Sequence, residues 1–130
     1  MRILLVDDEF ELVSAMAERL NMRGLEADYA TSGKAAVEKA RQCQYDVLVV
    51  DLKMPGMDGM EVMRQVKEKC PDTGFVFLTG YGSEDQKSAS EAAGATCYLM
   101  KPVKISVLME KIDAAAQSAC TIPGKDNSDA

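Results

Sequence analysis

The sequence predicts an α/β doubly wound fold in which five parallel strands alternate with five helices, and two observations predict it. Short apolar runs without polar alternation, such as Ile3 to Val6 and Val47 to Val50, read as strands buried on both faces. Between the runs, apolar residues recur at helical spacing and are bounded by capping residues, glycine or proline. Each right-handed crossover then returns the chain parallel to the preceding strand.

The elements follow in order. Ile3 to Val6 is the first strand and ends in Asp7 and Asp8. Leu12, Val13, Met16 and Leu20 mark the core side of a helix that Gly24 closes. Leu25 to Ala30 form a second strand, and Thr31-Ser32 supply the N-cap of a helix carrying Ala36, Val37 and Ala40. The third strand, Asp46 to Val50, runs into Asp51, and Lys53 to Gly59, with Pro55, Gly56 and Gly59, is a loop. Asp58 and Glu61 have capping-box spacing ahead of a helix through Met60, Met63 and Val66, which ends at Cys70 before Pro71. Phe75 to Leu78 is the fourth strand, leading to Thr79-Gly80. Ser83 and Gln86 have the same capping-box spacing for a helix over 84–93, and Thr96 to Leu99 is the fifth strand. Lys101-Pro102 precedes a last helix with Ile105, Leu108, Met109, Ile112 and Ala116 on one side. These elements make one domain over residues 1–118, and the small, polar and turn-forming residues 119–130 are expected to be a flexible tail.

Composition removes several function classes. The net charge is −6 with Lys and Arg scattered, so the basic footprint of a nucleic-acid binder is missing. The four cysteines form no C-x-x-C pair and there is no histidine, which argues against a zinc site. The opening apolar stretch gives way to Asp7-Asp8-Glu9, too early for a signal peptide or a membrane span. A cytoplasmic protein with reduced thiols and no membrane contact is the expectation. Without imidazole, acid, base or phosphoryl chemistry falls to carboxylates, Lys and Thr.

Four strands end in polar groups: Asp7-Asp8, Asp51, Thr79 and, just beyond the fifth strand, Lys101. An α/β sheet binds ligands outside the carboxyl ends of its strands. If Asp7, Asp8 and Asp51 meet there, the first and third strands are neighbours and the order is 2-1-3-4-5. Carboxylates so gathered repel, by about 4 kcal/mol for a unit pair at roughly 4 Å and an effective dielectric near 20. They need cations, and Mg²⁺ suits them because it takes one or two carboxylates and leaves positions for phosphate oxygens. Asp51 is then the nucleophile toward a phosphoryl group held by Mg²⁺ on one side and by Lys101 and the Thr79 hydroxyl on the other.

Over nearly its whole length, from Arg2 to about Gln117, the chain resembles the receiver domains of two-component response regulators. The resemblance is carried by the Asp7-Asp8 pair, by Asp51 with Met54-Pro55-Gly56-Met57-Asp58-Gly59 behind it, by Thr79-Gly80 and by Lys101-Pro102. The wording from Asp51 to Gly56 is also similar to receivers of the nitrogen-regulation activator class. The resemblance implies a flavodoxin-like (βα)5 fold and a phosphoacceptor, Asp51, that takes phosphate from the phosphohistidine of a sensor histidine kinase. It implies Mg²⁺ held by Asp7, Asp8, Asp51 and the backbone carbonyl of Lys53, with phosphate contacts from Thr79 and Lys101. It further implies that Tyr98 changes rotamer with Thr79, that the peptide before Pro102 is cis, and that phosphorylation and dephosphorylation at Asp51 are self-catalysed. The chain is then a stand-alone receiver or a piece of a regulator with an output domain.

The helix over 84–93 offers only Ala89, Ala92 and Ala93 to the core and is expected to be the mobile element. Two charge-assisted hydrogen bonds to a phosphate, each about 1.5 to 3 kcal/mol, approach the ~5.5 kcal/mol that inverts a 1:99 equilibrium. The surface of this helix, the fifth strand and the last helix would then recruit a partner protein or a second copy, giving a homodimer on phosphorylation. Three other readings stay open. A haloacid-dehalogenase type phosphatase needs a second Asp two residues after the nucleophile, where Lys53 stands. A nucleotide or flavin binder would find Asp7-Asp8, not glycines, after the first strand. A phosphate-independent interaction module would keep the fold without the switch.

Overall fold

Five strands, all parallel, form one sheet in the order β2-β1-β3-β4-β5 in the computed structural model, which describes residues 1–79 and 98–117. The strands are β1 (Arg2–Val6), β2 (Glu26–Ala30), β3 (Val47–Asp51), β4 (Gly74–Thr79) and β5 (Tyr98–Met100). The described helices are α1 (Phe10–Met22), α2 (Gly33–Gln42), α3 (Gly59–Lys69) and α4 (Ile105–Ala116). The helix expected over 84–93 and the tail over 119–130 lie outside the described residues.

Alternation along each strand divides the core in two. Leu4, Val6, Leu48, Val50, Phe75 and Phe77 face α2 and α3, where Ala36, Val37, Val62 and Val66 complete the layer. Ile3, Leu5, Val47, Val49, Val76 and Leu78 face α1 and α4 and meet Val13, Leu20, Leu108 and Ile112. Every residue of β3 is buried, as a central parallel strand covered on both faces requires.

Side-chain caps account for two of the four described helix starts. Ser32 accepts a hydrogen bond from the Ala35 N–H, and Asp58 accepts one from the Glu61 N–H at 3.0 Å. Only half of the expected box forms at Asp58, because the Glu61 carboxylate accepts from Arg64 and Gln65 instead. Arg23 takes the C-cap position of α1 and Gly24 follows at φ +93°, a left-handed conformation suited to glycine.

Two side chains face differently from the helical spacing. Leu12 is 39% exposed, and Ala17 takes the core position beside Val13 and Leu20. On α4 the buried set is Leu108, Ile112 and Ala115, while Ala116 is exposed. The cause is tertiary: Ala115 lies against Gly74 at the start of β4, so closely that a Cβ at 74 would come 2.5 Å from the Ala115 carbonyl oxygen.

At the β2 edge of the sheet, Asn21 of α1 donates its amide to the Ala27 carbonyl at 3.1 Å and accepts from the Ala27 N–H at 2.8 Å. The side chain thereby occupies a ladder position that an edge strand otherwise leaves open.

Candidate functional site

The sheet order brings the carboxyl ends of β1 and β3 together, since Val6 pairs with Val50. Each strand runs on into an acid. Asp7 is 1% exposed and its N–H continues the ladder to the Ala30 carbonyl at 3.1 Å. Asp51 is 5% exposed and pairs in register with Leu78, while the next N–H, of Leu52, donates to the Leu78 carbonyl at 2.9 Å. Asp8 is exposed at the rim. One carboxylate oxygen from each of Asp7, Asp8 and Asp51 lies within 4.8 Å of the others, so the three acids expected to meet do meet.

Lys101 supplies the cation. Its Nζ is 2.8 Å from Asp7 Oδ2 and 2.9 Å from Asp51 Oδ2, reaching in from just beyond β5. The Lys101-Pro102 peptide is cis. Backbone donors fix the two buried acids further: the Glu9 N–H donates to Asp7 Oδ1 and the Lys53 N–H to Asp51 Oδ1, both at 2.9 Å. These contacts leave one oxygen of each acid to the ammonium.

Burial raises the Asp51 carboxyl above the ordinary carboxylate range, against the opposing hydrogen bonds from Lys101 and the Lys53 N–H and with the negative charge of Asp7 added. Burial alone would lower the Lys101 ammonium, but its hydrogen bonds to Asp7 and Asp51 outweigh that and raise it. Three carboxylates around one ammonium leave two negative charges uncompensated within the cluster. Hard oxygen donors, two buried and one at the open rim, match a small divalent cation that keeps part of its water shell.

Thr79 ends β4 on the same edge of the sheet, opposite Met100 in the β4–β5 register, and Tyr98 lies opposite Phe77. Lys53 stands beside Asp51 through the backbone bond already described. A further acid that the pattern of strand ends did not single out contacts the same ammonium from outside the cluster: Glu9 Oε1 lies 3.4 Å from Lys101 Nζ. Its position directly after Asp7-Asp8 was the available signal, and it reads as one more solvated acid at a helix start.

Residues 3–113 match the family model described as the response regulator receiver domain. Among curated proteins, the chain is 35% identical over 114 residues to the response regulator MprA of Mycobacterium leprae, covering 88% of this chain and 50% of that one. It is 33% identical over 118 residues to the transcriptional regulatory protein ResD of Bacillus subtilis, covering 91% of this chain and 49% of the relative. The chain therefore spans about half the length of the curated relatives it matches. Among solved structures, a response regulator receiver domain protein of Clostridium thermocellum superposes with a TM-score of 0.83 at 30% identity, covering 91% of this chain and 95% of that one. The Vibrio cholerae chemotaxis protein CheY4 gives a TM-score of 0.79 at 29% identity, covering 88% and 97%. The likeness of Asp51 to Gly56 to the nitrogen-regulation class is finer than these matches reach. From the family match, the flavodoxin-like sheet and the acid cluster at its carboxyl edge together, the chain belongs to the response regulator receiver domain family, the phosphoacceptor module of two-component signalling.

Proposed function

We propose that Asp51 is the phosphoacceptor, taking a phosphoryl group from the phosphohistidine of a sensor histidine kinase. The observation that carries this is the Asp51 carboxylate at a strand end, 2.9 Å from the Lys101 ammonium and beside Asp7 and Asp8. One Asp51 oxygen attacks phosphorus as the P–N bond breaks, and the electron pair returns to the imidazole of the kinase. The Lys101 ammonium meets the incoming phosphoryl oxygens, joined by the Thr79 hydroxyl. The Lys53 N–H keeps the attacking carboxylate oriented through its second oxygen.

Asp7, Asp8, Asp51 and the Lys53 carbonyl are the residues that would hold Mg²⁺. When bound, it supplies charge neutralisation for the acid cluster and for the transferred phosphoryl group. The same constellation supports self-catalysed phosphorylation from a small donor and self-catalysed hydrolysis of the acyl phosphate.

The receiver domain is assigned to residues 1–118, and 119–130 to a tail. The output face is assigned to β5, the last helix and the segment over 84–93. Met100 and Val107, exposed by 59% and 37% on the described part of that face, supply apolar surface for a partner protein, an output domain or a second copy. Thr79 and Tyr98 are assigned to the switch that reports to it. No described helix is long and apolar enough to cross a membrane, and a cytoplasmic location accords with the kinase partner.

Intact mass after incubation with MgCl₂ and a small acyl-phosphate donor tests the reading. A single phosphoryl adduct that is lost in Asp51→Asn and under a chelator is expected. No adduct under any condition refutes it and favours a phosphate-independent interaction module on the same fold.

A further inference from the structure

Lys101 Nζ stands among three carboxylates of two kinds. Asp7 and Asp51, at 2.8 and 2.9 Å, are buried members of the acid cluster. Glu9, at 3.4 Å, has a side chain 64% exposed and lies outside that cluster. A divalent cation entering the cluster must share Asp7 and Asp51 with the ammonium that already holds them, and the two positive charges repel. The ammonium therefore has to move, and its destination affects how readily the cation binds.

Glu9 is built to be that destination. It occupies the N-cap position of α1, yet its carboxylate makes no capping hydrogen bond. Its backbone is tethered at both ends, the N–H to Asp7 Oδ1 and the carbonyl to the Val13 N–H at 3.0 Å. The side chain is left to swing over the rim while the backbone keeps Asp7 in place. A carboxylate at a helix N-terminus is also favoured by the helix dipole, so holding it charged there is not costly.

We propose that Glu9 is a positioning residue that receives the Lys101 ammonium when a divalent cation takes Asp7 and Asp51. The inference rests on the Mg²⁺ reading above. Without Glu9 the displaced ammonium has, among the described residues, no contacting carboxylate outside the cluster to go to, and it competes longer for the two acids the cation needs. A carboxylate that merely adds negative potential near the site would also favour the cation, but whether or not Lys101 is present.

Titration calorimetry of the full chain with MgCl₂ alone, at fixed ionic strength, separates the two. Glu9→Gln is expected to weaken binding roughly fivefold, the upper end for a partly exposed ion pair. In a Lys101→Met background the same substitution is expected to change the dissociation constant by less than about twofold, because nothing remains to be handed over. An equal factor in both backgrounds, or no change in either, overturns the proposal while leaving the Mg²⁺ site standing. Failure of the unsubstituted chain to bind MgCl₂ refutes the site and the handover together. A second measurement needs no change at residue 101: because Glu9 already touches Lys101 at 3.4 Å, Glu9→Gln should shift the ¹⁵N signal of the Lys101 ammonium modestly in the metal-free protein and clearly more once MgCl₂ is added. A shift no larger with MgCl₂ than without it overturns the proposal.

Discussion

Gly59 stands directly against Asp51: a Cβ at position 59 would lie 2.8 Å from the Asp51 backbone oxygen and 3.1 Å from the Leu52 Cα. The first residue of α3 is thus pressed onto the end of the strand that carries Asp51, and neither backbone can yield cheaply. Gly59→Ala is expected to destabilise the domain by about 1 to 3 kcal/mol, as overpacking does. It should also slow phosphorylation of the fraction that remains folded. Denaturant melts and intact-mass time courses read the two effects, and an unchanged midpoint would show that α3 can shift outward freely.

Lys101 is expected to matter differently in the presence and absence of metal. Replacing it by Met leaves Asp7 and Asp51 buried without their cation, which costs about 3 kcal/mol in metal-free protein. MgCl₂ should restore much of that, since a ligand that binds only the folded state stabilises it by mass action. Thermal melts of Lys101→Met with and without MgCl₂ are expected to differ more than those of the unsubstituted chain. Equal increments would mean that the ammonium and the divalent cation do not compete.

Tyr45 controls part of the alkaline limit. The residue is 4% exposed and its hydroxyl donates to Asp28 Oδ2 at 2.9 Å. Burial, then that hydrogen bond, raises the phenol above its ordinary 10.0. A group whose folded value is raised contributes stability that is present below the unfolded value and lost as pH rises through the folded one. Stability should therefore fall above pH 10.0, and Tyr45→Phe should flatten that fall while costing about 1 kcal/mol near neutrality. The slope that remains belongs partly to Lys101, whose raised value likewise places its loss above 10.5. Denaturant melts across the alkaline range decide it, and a Tyr45→Phe protein with an unaltered slope contradicts the assignment.

Asn21 guards the β2 edge through its paired bonds to Ala27. Asn21→Leu removes both and leaves the Ala27 N–H and carbonyl open to another chain. A loss of about 1 to 2 kcal/mol and a concentration-dependent rise in light scattering are expected. A monomeric, fully stable variant would mean that the edge needs no cover.

Much of this was legible in the residues, and the reasons differ by element. The sheet order followed from one chemical demand, that Asp7, Asp8 and Asp51 share a site, and the pairing of Val6 with Val50 meets it. Buried strands were legible because a run such as Val47 to Val50 has no polar member to expose. Helix faces were less so. Leu12 and Ala17 compete for one side of α1, and helical spacing accommodates either until the neighbouring helix is known. Ala115 outranks Ala116 because Gly74 leaves room for it, a fact belonging to β4 and invisible in the sequence of α4. Glu9 escaped because its role depends on the reach of a side chain 92 residues away. The side-chain roles proposed for Thr79 and Tyr98 rest on the family likeness, with strand register giving only their positions.

The N–H of Asp7 is bonded to Ala30 and that of Leu52 to Leu78, so the acids at this edge are also the final rungs of the sheet. Chemistry and architecture here draw on the same or adjacent residues, the side chains serving one and the backbone the other. A transplant of the site into another protein would have to carry three strand ends and their spacing with it, and no set of side-chain substitutions on an unrelated surface would reproduce it. Conversely, directed evolution of a slower or faster phosphoacceptor will find its freedom at the rim, at Asp8, Glu9 and Lys53, where a change in side chain leaves every ladder bond in place.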